Sequence, residues 1–288
     1  MNDQDWRILT TLYKEKNITK TAEKLCISQP ALTYRLRQME NEFNITIAYR
    51  GRRGVEFTAE GEYLVKYAQE MLLQLRNTKE QMWNMDTKVQ GILRLGVSSI
   101  FARYKLPLLL KHFRQQYPDV EIKVSTGWSE EVMTMVYKQD VHIGIIRGEY
   151  KWPDQKYLLM EEPLYVVSKE AIELEELPRS SRINYQTDST LRTIIDHWWM
   201  EHYLQPSSIT MEVDKMETCK EMVLHGLGYA ILPGIFFDDS EELCKIPLIA
   251  KDGGAILRKT WMIYRKDSLK ISAIRAFVAF MKEKKEAP

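Results

Sequence analysis

Between Ser28 and Glu40 the sequence SQPALTYRLRQME sorts its residues at helical spacing into two faces. Gln29, Thr33, Tyr34, Arg35 and Arg37 fall on one side, while Ile27, Ala31, Leu32, Leu36, Met39 and Phe43 make a stripe on the other. Amide, hydroxyl and guanidinium groups in such a row can bond base edges and phosphate oxygens in a DNA major groove. Ser28 is placed to cap the helix, because its hydroxyl can accept a free first-turn N–H. Pro30 falls in the first turn, where its missing donor costs nothing. Taken alone, the stretch also reads as an ordinary amphipathic helix with a solvated outer face.

Catalytic chemistry finds little support. His197 and His202 are five apart and do not share a helix face for zinc, and no nucleophile elbow or phosphate loop appears. No metal site and no cofactor are expected. Cys26, Cys219 and Cys244 lack metal-ligand spacing and are odd in number, so reduced thiols are the economical reading. A redox-sensing cysteine pair is the alternative, against which Cys219 reads as a small buried hydrophobe within a helix.

The flanking elements decide between a DNA reader and a plain helix. Gln4 to Lys16 carries Trp6, Leu9, Leu12 and Tyr13 at helix spacing until Asn17. Thr19 is expected to cap a short helix that buries Ala22 and Leu25. Helix, short helix, tight turn and longer polar-faced helix make a helix-turn-helix. Ile45 to Arg50 and Val55 to Phe57, joined by Gly51-Arg52-Arg53-Gly54, read as a β-wing with Arg50, Arg52 and Arg53 available to phosphates or a minor groove. A solvated turn is the bland alternative for Arg52 and Arg53. From Thr58 to about Lys88 the positions Leu64, Ala68, Met71, Leu75, Thr78, Met82, Met85 and Val89 step by four and three, a heptad seam roughly 45 Å long. Pairing with a second copy is expected of so long a seam; packing on its own domain is the alternative.

The remainder alternates strand and helix, as an α/β domain with a parallel sheet does. Strands are expected at 92–97, 120–124, 142–146, 164–167, 182–185, 209–213, 229–232 and 261–265, and helices at 104–117, 129–139, 190–202, 215–225 and 269–284. The chain of 288 residues carries a net charge of +1, yet through Thr58 it has ten Lys and Arg against seven Asp and Glu. A modest basic end on a neutral body suits a nucleic-acid-binding module joined to a non-binding domain. MNDQDW lacks the charged start and apolar run of a signal peptide, and no apolar run approaches a membrane span. A cytoplasmic, soluble protein is expected, which weighs against a secreted solute-binding protein.

TAEKL (21–25), SQPAL (28–32), Glu40, Arg50 and TAEG (58–61), followed by GVSS (96–99), FRQQYPDVEI (113–122) and HGLGYAILP (225–233), resemble the LysR-type transcriptional regulators along the whole chain. Ala48 departs from the Phe usual in that family, which implies a smaller hydrophobic plug under the wing. The resemblance implies an α+β multidomain fold: a winged helix-turn-helix over 1–58, a linker and dimerisation helix over 59–90, and an effector domain over 91–288. The last is similar to a type II periplasmic-binding-protein fold, with subdomain I at about 91–162 and 266–288, subdomain II at about 163–265, and crossings near Glu161 and Tyr264. It further implies promoter DNA as a partner, homodimers assembled into homotetramers, contact with RNA polymerase, and a small effector in the cleft between subdomains.

Strand ends and helix starts should line that cleft, where free N–H groups favour an anion. They supply Ser98, Ser99, Thr126, Gly127, Ser129, Arg147, Gly148, Ser189, Thr190 and Arg258, with Thr187 and Asp188 beside them. Two arginines reaching one cleft suit a polycarboxylate, because guanidinium binds carboxylate through two parallel bonds. The alternative is that Arg147 and Arg258 pair with acidic side chains. TGWSEEVMTMVY, VHIGIIRG, HWW and ETCKEM resemble the citrate-responsive regulators of Gram-positive bacteria that control the tricarboxylic-acid branch. That likeness implies citrate held by Ser98, Arg147 and Arg258.

Overall fold

The computed structural model describes residues 1–51, 54–83, 88–237 and 242–286. It separates into two compact units, Met1–Met85 and Asp86–Pro288. Arg52 and Arg53 of the expected wing tip, and the heptad position Met85, lie outside the described residues.

In the first unit, α1 (Asp3–Glu15) begins with a reciprocal cap between Asn2 and Asp5 and ends at Lys16 in the left-handed region. The next helix, α2 (Ile18–Lys24), is capped by Asn17, whose side chain accepts from the Lys20 N–H at 3.0 Å. Thr19, the expected cap, is inside the helix; Asn17, directly after the Lys16 cap of α1, starts it instead. Ser28 caps α3 (Gln29–Phe43) as expected, accepting from the Ala31 N–H at 3.3 Å. The buried stripe of α3 is narrower than its pattern, for Leu32, Leu36 and Met39 are buried whereas Ala31 is exposed and Phe43 is 44% exposed.

The wing pairs β1 (Ala48–Gly51) with β2 (Gly54–Phe57) in antiparallel register, Ala48 opposite Phe57. Ile45 to Ile47 stay out of the strand; the Ile47 N–H instead donates to Glu40 Oε1 at 3.0 Å. Tyr13 meets Phe57 edge-on at 5.1 Å, and Ile47, Ala48 and Val55 are buried nearby in the same core. Thr58 starts α4 (Ala59–Trp83), its Oγ1 accepting from the Gly61 N–H at 2.9 Å. Gly61 is required sterically: a Cβ there would lie 2.0 Å from the Ile47 carbonyl oxygen.

The second unit runs β3 (Gly91–Ser98), α5 (Ser99–Tyr104), α6 (Leu106–Gln116), β4 (Val120–Gly127), α7 (Ser129–Tyr137), β5 (Ile143–Arg147) and β6 (Gln155–Ser168). Then come β7 (Arg182–Tyr185), α8 (Ser189–His202), β8 (Ile209–Val213), α9 (Met216–Leu224), β9 (Ala230–Pro233), β10 (Cys244–Pro247), β11 (Leu257–Tyr264) and α10 (Ser272–Glu286). Seven strands form one sheet in the order β10-β6-β11-β5-β3-β4, with β9 also on β6, while β7 and β8 pair separately.

The sheet is mixed rather than parallel throughout. β3 is parallel to β4 and β5, whereas β11 runs antiparallel to both β5 and β6. The reason lies in how the chain changes subdomain. The first half of β6 pairs with β11, and its second half, from Leu164, pairs with β9 and β10. The return crossing falls near Leu257, where β11 begins, and not near Tyr264, because Thr260 to Tyr264 already pair with β5. Arg258 is thereby set at the crossing, in register with Glu162.

Candidate functional site

On the first unit, α3 leaves Gln29, Pro30, Tyr34 and Arg37 exposed and Thr33 half-buried. Tyr34 is 62% exposed, and its hydroxyl accepts from Gln38 Nε2 at 2.9 Å, which fixes the ring's direction. The Ser28 hydroxyl is occupied as the cap. Arg35 behaves differently from its neighbours. Its Nε donates to Oδ1 of buried Asp5 at 2.9 Å and another N–H donates to Gln38 Oε1 at 2.9 Å. Arg35 therefore ties α3 to the start of α1. Arg50 donates to Glu40 Oε2 at 3.3 Å, and Glu40 also holds the Ile47 N–H, so one carboxylate fastens the wing to α3. Neither fastener shows in the pattern, because Asp5 and Arg35 lie thirty residues apart and Glu40 and Arg50 ten apart on different elements, which leaves no local spacing signal.

In the second unit, a cleft of about 300 Å³ is lined by Ser98, Ser99, Gly127, Ser129, Arg147 and Arg258 from among the sequence candidates. Ile100, Trp128, Gln186, Asp188, Asp214, Lys215, Met216 and Glu217 complete its walls. Thr126, Gly148, Ser189 and Thr190 do not line it. Gly148 and Thr190 instead meet each other: a Cβ on Gly148, whose φ is +110°, would lie 2.1 Å from Thr190 Oγ1. Ser189 Oγ donates to Glu130 Oε1 at 3.2 Å, and Thr126 is exposed one residue before the end of the edge strand β4.

Both arginines are buried and both are paired. Arg147, 3% exposed, is ion-paired with Glu162. Arg258, 1% exposed, is ion-paired with Asp188 and donates to Thr190 Oγ1 at 2.9 Å and to the Arg147 carbonyl at 3.0 Å. The alternative of acidic partners is thus what the structure contains. Burial lowers the pKa of Arg147, with Glu162 opposing. Burial pushes the Asp188 carboxyl up, but Arg258, the Thr190 hydroxyl and the Leu191 N–H outweigh it and hold the pKa below the usual range. Asp188 also caps α8 through that Leu191 N–H at 3.0 Å. Ser129 bridges the Arg147 N–H and carbonyl, so its hydroxyl serves the strand end. Ser98, 6% exposed, is different: its Oγ has no hydrogen-bond partner.

The pattern described as "Bacterial regulatory helix-turn-helix protein, lysR family" matches residues 4–62, and "LysR substrate binding domain" matches residues 86–286. The chain belongs to the LysR family. It is a DNA-binding transcriptional regulator with an effector-binding domain, and the family is one of regulators, not of enzymes. It is 45% identical over 282 residues to the HTH-type transcriptional regulator YraN of Bacillus subtilis (strain 168), covering 98% of each chain. YkuM of the same organism is 35% identical over 285 residues, covering 98% of this chain and 97% of YkuM. Among solved structures, full-length CbnR complexed with its target DNA gives a TM-score of 0.69 at 16% identity, covering 98% of this chain and 99% of CbnR. Full-length OxyR from Pseudomonas aeruginosa gives 0.67 at 22% identity, covering 98% and 95%. Such likenesses establish the LysR fold.

The thiols of this LysR chain are unpaired, with Cys219 buried, Cys26 exposed and Cys244 between. Burial pushes the Cys219 thiol up to about 12, so the nucleophilic thiolate is scarce at neutral pH. Among the described residues no cluster of His, Cys, Asp and Glu could hold a metal, and no helix is long and apolar enough to cross a membrane.

Proposed function

We propose that this LysR regulator reads promoter DNA through the exposed face of α3, with Gln29, Thr33, Tyr34 and Arg37 toward the major groove and Arg50, Arg52 and Arg53 toward the backbone. A small carboxylate bound between the subdomains then alters how the heads are presented. The observation that carries the reading is a cleft of about 300 Å³ walled by both subdomains, into which Ser98 brings an unpartnered hydroxyl. Its volume is at the lower end of what ligand sites occupy. Working in the cytoplasm on promoter DNA, the chain pairs through α4 and assembles on its operator as a tetramer that contacts RNA polymerase. Exposed Tyr63 and Tyr67 on α4, with Phe43 beside them in one apolar hollow, support the pairing.

Citrate is the compound that the sequence resemblance names, and the control of tricarboxylic-acid-branch genes goes with it. The ion-paired state of Arg147 and Arg258 weighs against it, because a trivalent anion must compete with Glu162 and Asp188 for guanidinium. Calorimetric titration of citrate into the full chain tests the compound; no heat at millimolar citrate removes it. Genome-wide mapping of bound sites with and without added effector tests the regulator reading, and an unchanged occupancy pattern under every metabolite tried would sink ligand control.

A further inference from the structure

Charge balance in the cleft narrows the class of effector, granted the reading that the effector binds there. Arg147, Arg258 and Lys215 face Asp188, Asp214 and Glu217 around its lining, three cations against three anions. Glu162 behind Arg147, and Arg103 reaching Glu217 at 3.4 Å, extend the pattern without changing its sum. The site is electrically neutral before anything enters it. Bringing a polyanion into such a place leaves uncompensated charge in a partly desolvated cleft, which disfavours its binding.

The two walls are nevertheless unlike. Subdomain I offers hydroxyls: Ser99, and Ser98 with its buried, unpartnered Oγ. Subdomain II offers the start of α9, where Asp214 and Lys215 are exposed and neither belongs to any ion pair among the described residues. Lys215, at the cap position, makes no side-chain capping bond. An uncharged ligand would leave that free acid and free amine without partners, and a simple carboxylate would answer only one of them.

We propose that the effector is a compact zwitterion, an α-amino acid or a close relative. Its carboxylate meets Ser98 and Lys215, and its ammonium meets Asp214 and Glu217. The ligand carries no net charge, as the cleft does, and its two ends satisfy both walls. Closing the cleft on it requires no rupture of the Arg147–Glu162 or Arg258–Asp188 pairs.

Thermal-shift and calorimetric titration of the full chain with the common L-amino acids tests this. Each compound that binds is then compared with its deaminated acid, its carboxamide and citrate. At least one amino acid should raise the melting temperature at millimolar concentration, and removing either charged group should weaken binding by about tenfold or more. Asp214→Asn combined with Glu217→Gln should erase the preference for the amino acid over its deaminated acid. Citrate or a deaminated acid binding as tightly as the best amino acid overturns the zwitterion, as does a panel with no binder. A cleft-filling Ser98→Trp variant separates the two levels of failure. If it abolishes the response of a promoter reporter to metabolite extract, the cleft remains the effector site whatever the ligand class. If the response survives it, the cleft reading itself falls.

Discussion

Gln29 and Arg35 have the same appearance in the sequence, polar residues on one face of α3, but the structure sets them in different surroundings. Arg35 is bound to buried Asp5, so Arg35→Ala leaves a carboxylate without its partner and should destabilise the first unit by about 1–2 kcal/mol. Gln29 is exposed, so Gln29→Ala should leave the melting temperature unchanged and reduce specific over non-specific DNA binding by about 1–3 kcal/mol. Melting curves set beside fluorescence anisotropy on specific and scrambled duplexes distinguish the two. An Arg35→Ala protein that melts like its parent yet loses specificity would reverse these roles. The cap at Ser28 was legible because capping is local, a hydroxyl three residues before the N–H it accepts. The Arg35–Asp5 pair was not, since it depends on α1 crossing α3, which no spacing within either helix reveals.

At the scale of elements, one pattern along α4 meets two different surroundings. Its heptad positions Leu64 and Ala68 are buried in the core of their own unit, as the alternative to pairing had it. Met71 and Leu75 are half-buried and Met82 is 63% exposed, so the seam loses its cover toward the later turns. Periodicity alone cannot tell these halves apart, because the same steps of four and three bury against any neighbour. Met82→Asp should therefore weaken self-association by about tenfold, a loss of apolar burial worth about 1–2 kcal/mol, while leaving the folded monomer intact. Leu64→Asp should unfold the first unit. Light scattering across a dilution series, alongside circular dichroism, reads both effects; an unaltered dimer in Met82→Asp excludes the later turns of α4 as the interface. Gly61→Ala belongs here too. Its Cβ would press on the Ile47 carbonyl, so a loss of about 2–3 kcal/mol is expected on thermal melting.

Across the whole molecule, the expected alternation of strand and helix survived best where the chain makes a simple parallel crossover, as from β3 through α6 to β4. It fell short at β6 and β11, long antiparallel strands that carry the chain between subdomains and whose early residues, such as Gln155, Lys156, Arg258 and Lys259, look too polar for a buried strand. Arg258 and Glu162 stand opposite each other there, and each is paired elsewhere, with Asp188 and Arg147. Of the residues expected at strand ends, Ser98, Gly127, Arg147 and Arg258 line the cleft; the wall from α9 starts at the expected helix of 215–225, but Asp214, Lys215, Met216 and Glu217 are not among the expected cleft residues.

The pairing at the crossing has a measurable pH signature. Asp188 has its pKa lowered in the folded chain, so the ionised form is what the fold stabilises. Such a group contributes fully above its unfolded pKa, about 3.9, and loses that contribution as the pH falls through the lower folded value. Asp188→Asn keeps a residue able to cap α8 but removes the charge that faces Arg258. At neutral pH the variant should be less stable than the parent by about 3–5 kcal/mol, because it leaves a buried guanidinium without its counter-ion. As the pH falls below the unfolded value of about 3.9 toward the lower folded one, the parent progressively loses the contribution of the ionised carboxylate, and the difference between the two should shrink. Denaturant melts of both proteins from neutral to acid pH measure it. A deficit that stays constant through the acid range would mean that Asp188 acts on stability through shape and capping, and that its charge does not hold Arg258 at the crossing.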